Sequence, residues 1–436
     1  MQLTTIAPTP VWDAFETPAN QSLNARLSFD DPAPVAVAIS GGGDSLCLLL
    51  LAKAWADRRG RRLVALTVDH GLQPDSGRWA LSCLDRIARL GVESRMLAWD
   101  GPKPATGLSA AARAARHRLL AESAREAGAA VILMGHTADD RAEAALMRQE
   151  GSTAPSPREW APSPVWPEGR GLFILRPLLA YRRSDIRVFL AAAGETWIDD
   201  PANDNPASAR ARARGRLASV PGIATDEQAQ SPGPPPALRL GPAGDLMLSL
   251  AALMDRPDAA ADLGAALVSA SGSQGAPRRE RRERLLERLT SGRPVAATLA
   301  GARVRSDGGN ALFVRDAADR RGAGGQDLTL RPGRETAWDG RFAIRANAPD
   351  IVVGLLHGRM SRLPPDLRRA VGELPPSVRP ALPVLLSAGV PVAIPTVLLS
   401  PLADVKTLTA ARFLAARGGI VDEAGLRSMA KTLSPS

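Results

Sequence analysis

Residues 35–56 read VAVAISGGGDSLCLLLLAKAWA: an apolar run, a glycine turn and a second apolar run. The first run predicts a buried strand, and the second a helix that begins near Ser45. Three consecutive glycines, Gly41, Gly42 and Gly43, let the backbone turn sharply and approach a ligand with no Cβ in the way. The N–H groups of a first helical turn have no intrahelical acceptor, and with the helix dipole they favour an anion above the loop. Ser40 and Ser45 add hydroxyl donors. Asp44 is the discordant member, because a carboxylate beside an anion site is repulsive unless a cation such as Mg²⁺ lies between them. The stretch therefore predicts a phosphate-plus-metal site with Asp44 as the metal ligand. A glycine-rich turn without a ligand is the plainer alternative.

A P-loop would carry a lysine after its last glycine, whereas Asp44 and Ser45 follow here. SGGGDS (40–45) instead resembles the signature of the PP-loop ATP pyrophosphatases. The resemblance implies that the loop grips the β,γ-pyrophosphate of ATP, which is cleaved between its α and β phosphates.

With 436 residues the chain exceeds one ordinary core, and two or three domains are expected. Cys47 and Cys83 are its only cysteines, which excludes a disulfide framework and a CxxC metal or redox motif. Histidine is confined to His70, His117, His136 and His357. Residues 1–30 lack the positive–apolar–small pattern of a leader and read as a loose tail. The apolar run near Leu46 meets Lys53 too soon to span a bilayer. The expectation is a cytoplasmic enzyme with no membrane association. A net charge of +10 points to an acidic partner such as RNA. Lysine, however, occurs only at positions 53, 103, 406 and 431, and heavy Arg and Ala use also follows from a GC-rich coding sequence, so charge alone does not decide.

Strand-like runs at 35–39, 63–68, 95–99, 130–134 and 172–175 alternate with helical patterns at 79–90, 108–127 and from about Thr137. This alternation predicts an α/β fold, a doubly wound parallel-sheet domain over residues 31–218. In such a sheet the ligand sits beyond the carboxyl ends of the strands. SGGGDS, the Asp69-His70-Gly71 turn and the segment 135–140 all lie there. Residues 154–169 are too rich in proline for a helix or a central strand and read as a surface loop. A Pro-rich linker is expected over 219–240. Beyond it, 241–425 reads as a mixed α+β region, with helices at 246–254 and 278–289 and a hairpin joining 298–305 to 311–315 through SDGGN. Short strands are expected at 342–345 and 390–394, and 426–436 reads as a tail.

Residues 136–143, HTADDRAE, form a second constellation. Thr137 can cap a helix with Asp140 in a capping-box arrangement, and Asp140 and Glu143 then share one face with His136 at the strand end. Acidic residues in a first turn also simply suit the dipole. Beside a phosphate loop, two carboxylates need a metal or a cationic substrate. Arg113 and Arg116 lie three apart on the helix at 108–127, where they suit phosphate or developing negative charge, or a solvated basic face. Asp200-Pro201 and Asn203-Asp204 are turn chemistry, followed by a cationic run of Arg210, Arg212, Arg214 and Arg216.

Together SGGGDS, VDHGLQPDS (68–76), AARAARHRLL (111–120), HTADDRAE, RPLL (176–179) with Arg182, and WIDDPANDNPASARARAR (197–214) resemble the tRNA(Ile)-lysidine synthetase family, in family order, over most of 35–216. The likeness is looser beyond residue 240. It implies adenylation of the wobble cytidine of a CAU-anticodon isoleucine tRNA by ATP, and displacement of AMP by free L-lysine. It also implies ATP binding by Ser40, Gly41, Gly42, Gly43, Asp44, Ser45, Asp69 and His70, with Mg²⁺ on Asp44. Asp140 and Glu143 would bind and deprotonate lysine. Arg113, Arg116 and His136 would stabilise the phosphate or the adenylated base. Arg210, Arg212, Arg214 and Arg216 would grip tRNA, together with the C-terminal region, and homodimer formation is left open. The rival readings are a PP-loop tRNA thiolase, for which Cys47 and Cys83 form no pair, and a non-catalytic tRNA-binding scaffold, disfavoured by two complete motifs.

Overall fold

The computed structural model describes residues 10–73, 75–152, 156–198, 209–218, 233–254, 256–319 and 325–432. The chain divides into two compact units: one takes residues 1–165, 171–230 and 421–430, the other 166–170, 231–420 and 431–436.

The first unit is built on β1 (Val35–Ile39), whose residues Val35, Ala36 and Val37 are fully buried, as a central parallel strand requires. The chain then runs through α2 (Gly43–Arg59), β2 (Leu63–Asp69), α3 (Ser76–Arg89), β3 (Glu93–Ala98), α4 (Leu108–Glu126), β4 (Val131–Leu133) and α5 (Ala138–Gln149). β5 (Trp160–Pro162), β6 (Phe173–Leu175), α6 (Arg183–Ala192) and α7 (Ala209–Ala218) follow. The sheet order is β3-β2-β1-β4-β6-β5, all parallel except the edge strand β5, which runs antiparallel to β6. β1 pairs with β2 on one side (Ala36 opposite Val64) and with β4 on the other (Ala36 opposite Ile132). The chain therefore leaves β1 and β4 in opposite lateral directions, and a crevice opens between their carboxyl ends. Leu120, Ala121 and Ala124 of α4 pack with Val64, Leu66, Ile132 and Ile174 of the sheet. On α2, Leu46 to Ala52 are all buried, and Gly60 ends the helix in the left-handed conformation at φ 60°.

Two expected tails are helical. Within 1–30, α1 (Pro10–Arg26) buries Ala19 and Leu23 and packs on α2 and α6, and Trp55 Nε1 donates to Asn24 Oδ1 at 2.9 Å. Burying Leu23 alone contributes roughly 1.5–3 kcal/mol. Within 426–436, the final helix (Glu423–Thr432) belongs over most of its length to the first unit, where Arg427 donates to Asp31 Oδ1 at 2.6 Å. The proline-rich loop does reach the sheet at β5, at the edge where proline is tolerated.

The second unit holds three antiparallel sheets. β7 (Leu238–Leu240), β8 (Leu246–Ser249), β9 (Val295–Leu299), β10 (Ala302–Ser306) and β11 (Asn310–Arg315) make a five-stranded sheet ordered β7-β8-β11-β10-β9. α8 (Leu250–Met254), α9 (Ala259–Ser271) and α10 (Arg279–Leu289) accompany it. The stretch expected as one helix at 246–254 is thus a strand followed by a short helix, because Leu246 and Leu248 alternate inward before the periodicity changes. α9 is almost wholly buried and lacks an amphipathic stripe to read. β12 (Leu328–Thr329), β13 (Glu335–Trp338), β14 (Phe342–Ala346), β15 (Ile351–Leu355), α11 (Pro365–Gly372), β16 (Pro383–Ser387), β17 (Val390–Ala393), β18 (Ala403–Thr407) and α12 (Thr409–Arg417) complete the unit. They form sheets β12-β15-β16-β17 and β13-β14-β18. Most of the expected linker and the turn at 200–204 lie outside the described residues. No described helix is long and apolar enough to cross a membrane.

Candidate active site

The glycine loop joins β1 to α2 at the crevice, and the helix starts at Gly43, two residues before Ser45. Gly41 has φ +83°, and a Cβ there would meet the side chain of Ile198 at 3.1 Å. Ile198 N–H donates to the Gly41 carbonyl at 3.1 Å, pinning the loop. Ser45 Oγ donates to the Gly42 carbonyl at 2.9 Å and accepts from the Ser40 N–H at 3.2 Å. Gly42, having no side chain, supplies no cap to the first-turn N–H groups of α2.

α5 starts across the crevice. Asp140 Oδ2 accepts from the Thr137 N–H at 2.8 Å and from its hydroxyl at 3.0 Å, as the capping-box reading expected. Gly135, just before it, packs against α2: a Cβ there would lie 2.9 Å from the Asp44 carbonyl oxygen. The two motifs therefore meet backbone to backbone.

Asp140 and Glu143 are almost sealed, at 6% and 1% exposure. Burial opposes charge on Asp140, but Arg210 and Arg183 outweigh it and hold its carboxyl below the usual range. Arg183, at the first position of α6, donates Nη1 to Glu143 at 2.8 Å, Nη2 to Asp140 at 3.0 Å and Nε to Asp44 at 3.2 Å. Its own N–H donates to Asp139 at 2.8 Å. Burial raises the Asp44 carboxyl pKa, and Arg183 offsets part of that rise. Arg210 Nε and Arg214 Nε also donate to Glu143, at 2.9 and 3.1 Å.

Histidines flank the crevice as neutral rings. His136 Nδ1 accepts from Arg176 Nε at 3.1 Å, which leaves the proton on Nε2. Burial, then Arg176, pushes the His136 pKa down to about 3. His70, after β2, accepts from Arg116 Nε at 3.1 Å, and burial followed by Arg116 lowers its pKa to about 4. Its Nδ1 then carries the proton, buried and without a hydrogen-bond partner among the described residues. Asp69 accepts from the Gly71 N–H at 2.9 Å. Arg113 is solvent-exposed on α4, within electrostatic reach of Asp140 and Arg210.

All the expected ATP, lysine and catalytic residues thus lie in one unit at the carboxyl ends of its strands. The arginine run divides. Arg210 and Arg214 turn to the acidic pair, Arg216 pairs with Glu150, and Arg212 is exposed. Sequence reading missed Arg183 and left Arg176 unassigned. An arginine opening the helix after β6 was the signal for Arg183, since that position faces the same crevice. Cys47 and Cys83 are both buried, and burial raises both thiol pKa values, which removes thiolate chemistry from this site.

A model of the PP-loop domain matches residues 15–220. The tRNA(Ile)-lysidine synthase of Caulobacter vibrioides is 48% identical over 84% of this chain and 87% of its own. That of Hyphomonas neptunium is 41% identical over 62% of this chain and 78% of its own. That of Rhizobium meliloti is 36% identical over 76% and 77%. The chain belongs to the tRNA(Ile)-lysidine synthase family.

Proposed function

We propose that this protein joins free L-lysine to C2 of the wobble cytidine of an isoleucine tRNA with a CAU anticodon, using ATP and releasing AMP and pyrophosphate. The observation that carries the reading is the convergence of Asp44, Asp140 and Glu143 beside uncapped N–H groups of the glycine loop. Phosphate above the loop would meet those N–H groups, with Ser40 at the rim. The Nδ1–H of His70, without a partner among the described residues, lies at the end of β2, where a nucleotide acceptor would satisfy it.

In the first half-reaction the cytosine O2 attacks the α-phosphate and pyrophosphate leaves. Exposed Arg113 and the Nε2–H of His136 are donors for the charge that develops on phosphate and base. The base must be unstacked to enter, for which anticodon loops are suited. In the second, the ε-amine of lysine attacks C2 and AMP leaves. Asp140 and Glu143 recognise the ammonium, and one of them takes the proton that the amine must lose before it attacks.

Among the described residues no three His, Cys, Asp or Glu side chains gather to hold a metal ion. Mg²⁺ ordinarily takes one or two carboxylates together with phosphate oxygens, so Asp44 at the loop fits that donor set. Bound there, it would offset charge on pyrophosphate. Arg212, Arg216 and the second unit supply tRNA contacts through phosphate.

The test is tRNA adenylation in the absence of lysine. Release of pyrophosphate that requires this tRNA is expected. Release that proceeds equally without tRNA contradicts the reading.

A further inference from the structure

One guanidinium serves carboxylates from both halves of the site. The Nε of Arg183 is on Asp44 at 3.2 Å, Nη1 on Glu143 at 2.8 Å and Nη2 on Asp140 at 3.0 Å. Asp44 lies in the first turn of α2, just after the glycine loop, while Asp140 and Glu143 belong to α5. Arg210 and Arg214 also hold Glu143, and Arg210 pairs with Asp140 at 3.2 Å, yet among the described residues the ion pair on Asp44 comes from Arg183. The Glu143 side chain is 1% exposed, so an ammonium group reaches it only by taking over a bond that an arginine now makes. The planar fork of Arg183 fits three partners at once, which a lysine side chain does not. A triphosphate above the loop adds negative charge on the Asp44 side of that fork.

We propose that Arg183 is a positioning residue that couples nucleotide binding to lysine binding. Without nucleotide it occupies Asp140 and Glu143 in place of the substrate ammonium. With ATP bound it turns toward the phosphates and gives up its own bonds to Asp140 and Glu143, which the ammonium of free lysine takes over while Arg210 and Arg214 keep theirs. The proposal rests on the assignment of lysine to Asp140 and Glu143 made above. It requires ATP to raise lysine affinity and, by linkage, lysine to raise ATP affinity.

Calorimetric titration of L-lysine into the full-length protein, with and without Mg²⁺ and the α,β-methylene analogue of ATP, tests it. The analogue should tighten lysine binding by about fivefold or more in the unmodified protein. In Arg183→Met, lysine should bind without nucleotide as tightly as it does to the unmodified protein with it, and the nucleotide effect should fall below about twofold. Should that variant fail to fold, Arg183→Lys carries the same test, with a reduced nucleotide effect expected. Lysine affinity indifferent to nucleotide in the unmodified protein, or an undiminished effect in either folded variant, overturns the proposal. Glu143→Gln separates the two assignments. If it binds lysine normally, the lysine site itself is misplaced and the coupling falls with it. If it loses lysine while the unmodified protein shows no nucleotide effect, only the coupling is wrong.

Discussion

Glu423, on the final helix, accepts from Arg61 Nη2 at 2.9 Å, and the two side chains are 0% and 2% exposed. Residues 362 positions apart thus form a sealed ion pair within one unit. Glu423 also accepts from the Ser28 N–H at 2.9 Å, and Arg26 donates to the Val421 carbonyl at 2.9 Å. Removing one partner of such a pair strands a buried charge, which costs about 3–5 kcal/mol. Glu423→Ala should therefore destabilise the first unit by that amount in denaturant unfolding. A change within experimental error would show that the helix merely lies on the surface. The same contact governs any truncation, because a fragment ending near Thr225 loses the helix as well as the second unit, and any change in its tRNA binding would reflect both.

Asp44→Asn should abolish tRNA adenylation, by two to three orders of magnitude if its effect matches loss of one preorganised charge contact, on the order of 10²–10³. Thermal unfolding should change little, since Asp44 lies half-buried in the first turn of α2 and Asn keeps its size. Adenylation at the unmodified rate would remove Asp44 from the nucleotide site.

Glu143→Gln should leave adenylation in place and slow lysine transfer, so that adenylated tRNA accumulates. The quantity to follow is the adenylated intermediate in a single turnover. Its absence, together with normal lysine incorporation, would reassign Glu143 to a structural role.

Gly135→Ala tests the contact between the two motifs. The new Cβ would lie 2.9 Å from the Asp44 carbonyl oxygen and 3.1 Å from the Ser45 nitrogen, atoms of backbone that cannot rotate away. Overpacking of this kind costs about 1–3 kcal/mol, and it is paid at the start of α2. ATP affinity should fall about tenfold or more, the equivalent of about 1.4 kcal/mol. Unaltered affinity in a folded variant would mean that the loop shifts freely.

Acid stability has a readable sign. Burial, then Arg113 and Arg176, pushes the His117 pKa down to about 3, against 6.5 for a free imidazole. Between those values the unfolded chain binds the extra proton, so this group's contribution to stability is complete above about pH 6.5 and falls as pH drops toward 3. His117→Leu should flatten the dependence of unfolding free energy on pH in that window, by at most about 1.4 kcal/mol per pH unit. Identical slopes for both proteins would show that His117 is solvated.

The glycine loop and the HTADDRAE helix were legible because each rests on short-range rules: apolar runs, glycine conformations and a capping box. Their convergence followed from the parallel alternation alone. Arg183 was not legible, because its three partners come from α2 and α5 and only the strand order brings them together. The helices at Pro10–Arg26 and Glu423–Thr432 were read as tails for a related reason. Short of large apolar residues, they are held by distant partners, Trp55 for one and Arg61 for the other. The strand at Leu246–Ser249 was lost in the helical pattern of the five residues after it.

The central claim is tested most directly by mass analysis of the nucleosides of CAU-anticodon isoleucine tRNA after incubation with the protein, ATP and L-lysine. The account predicts a wobble cytidine heavier by one lysine less water, dependent on all three components and formed more slowly with Glu143→Gln under single-turnover conditions. A cytidine that remains unmodified, or one that gains sulfur in place of lysine, would contradict it.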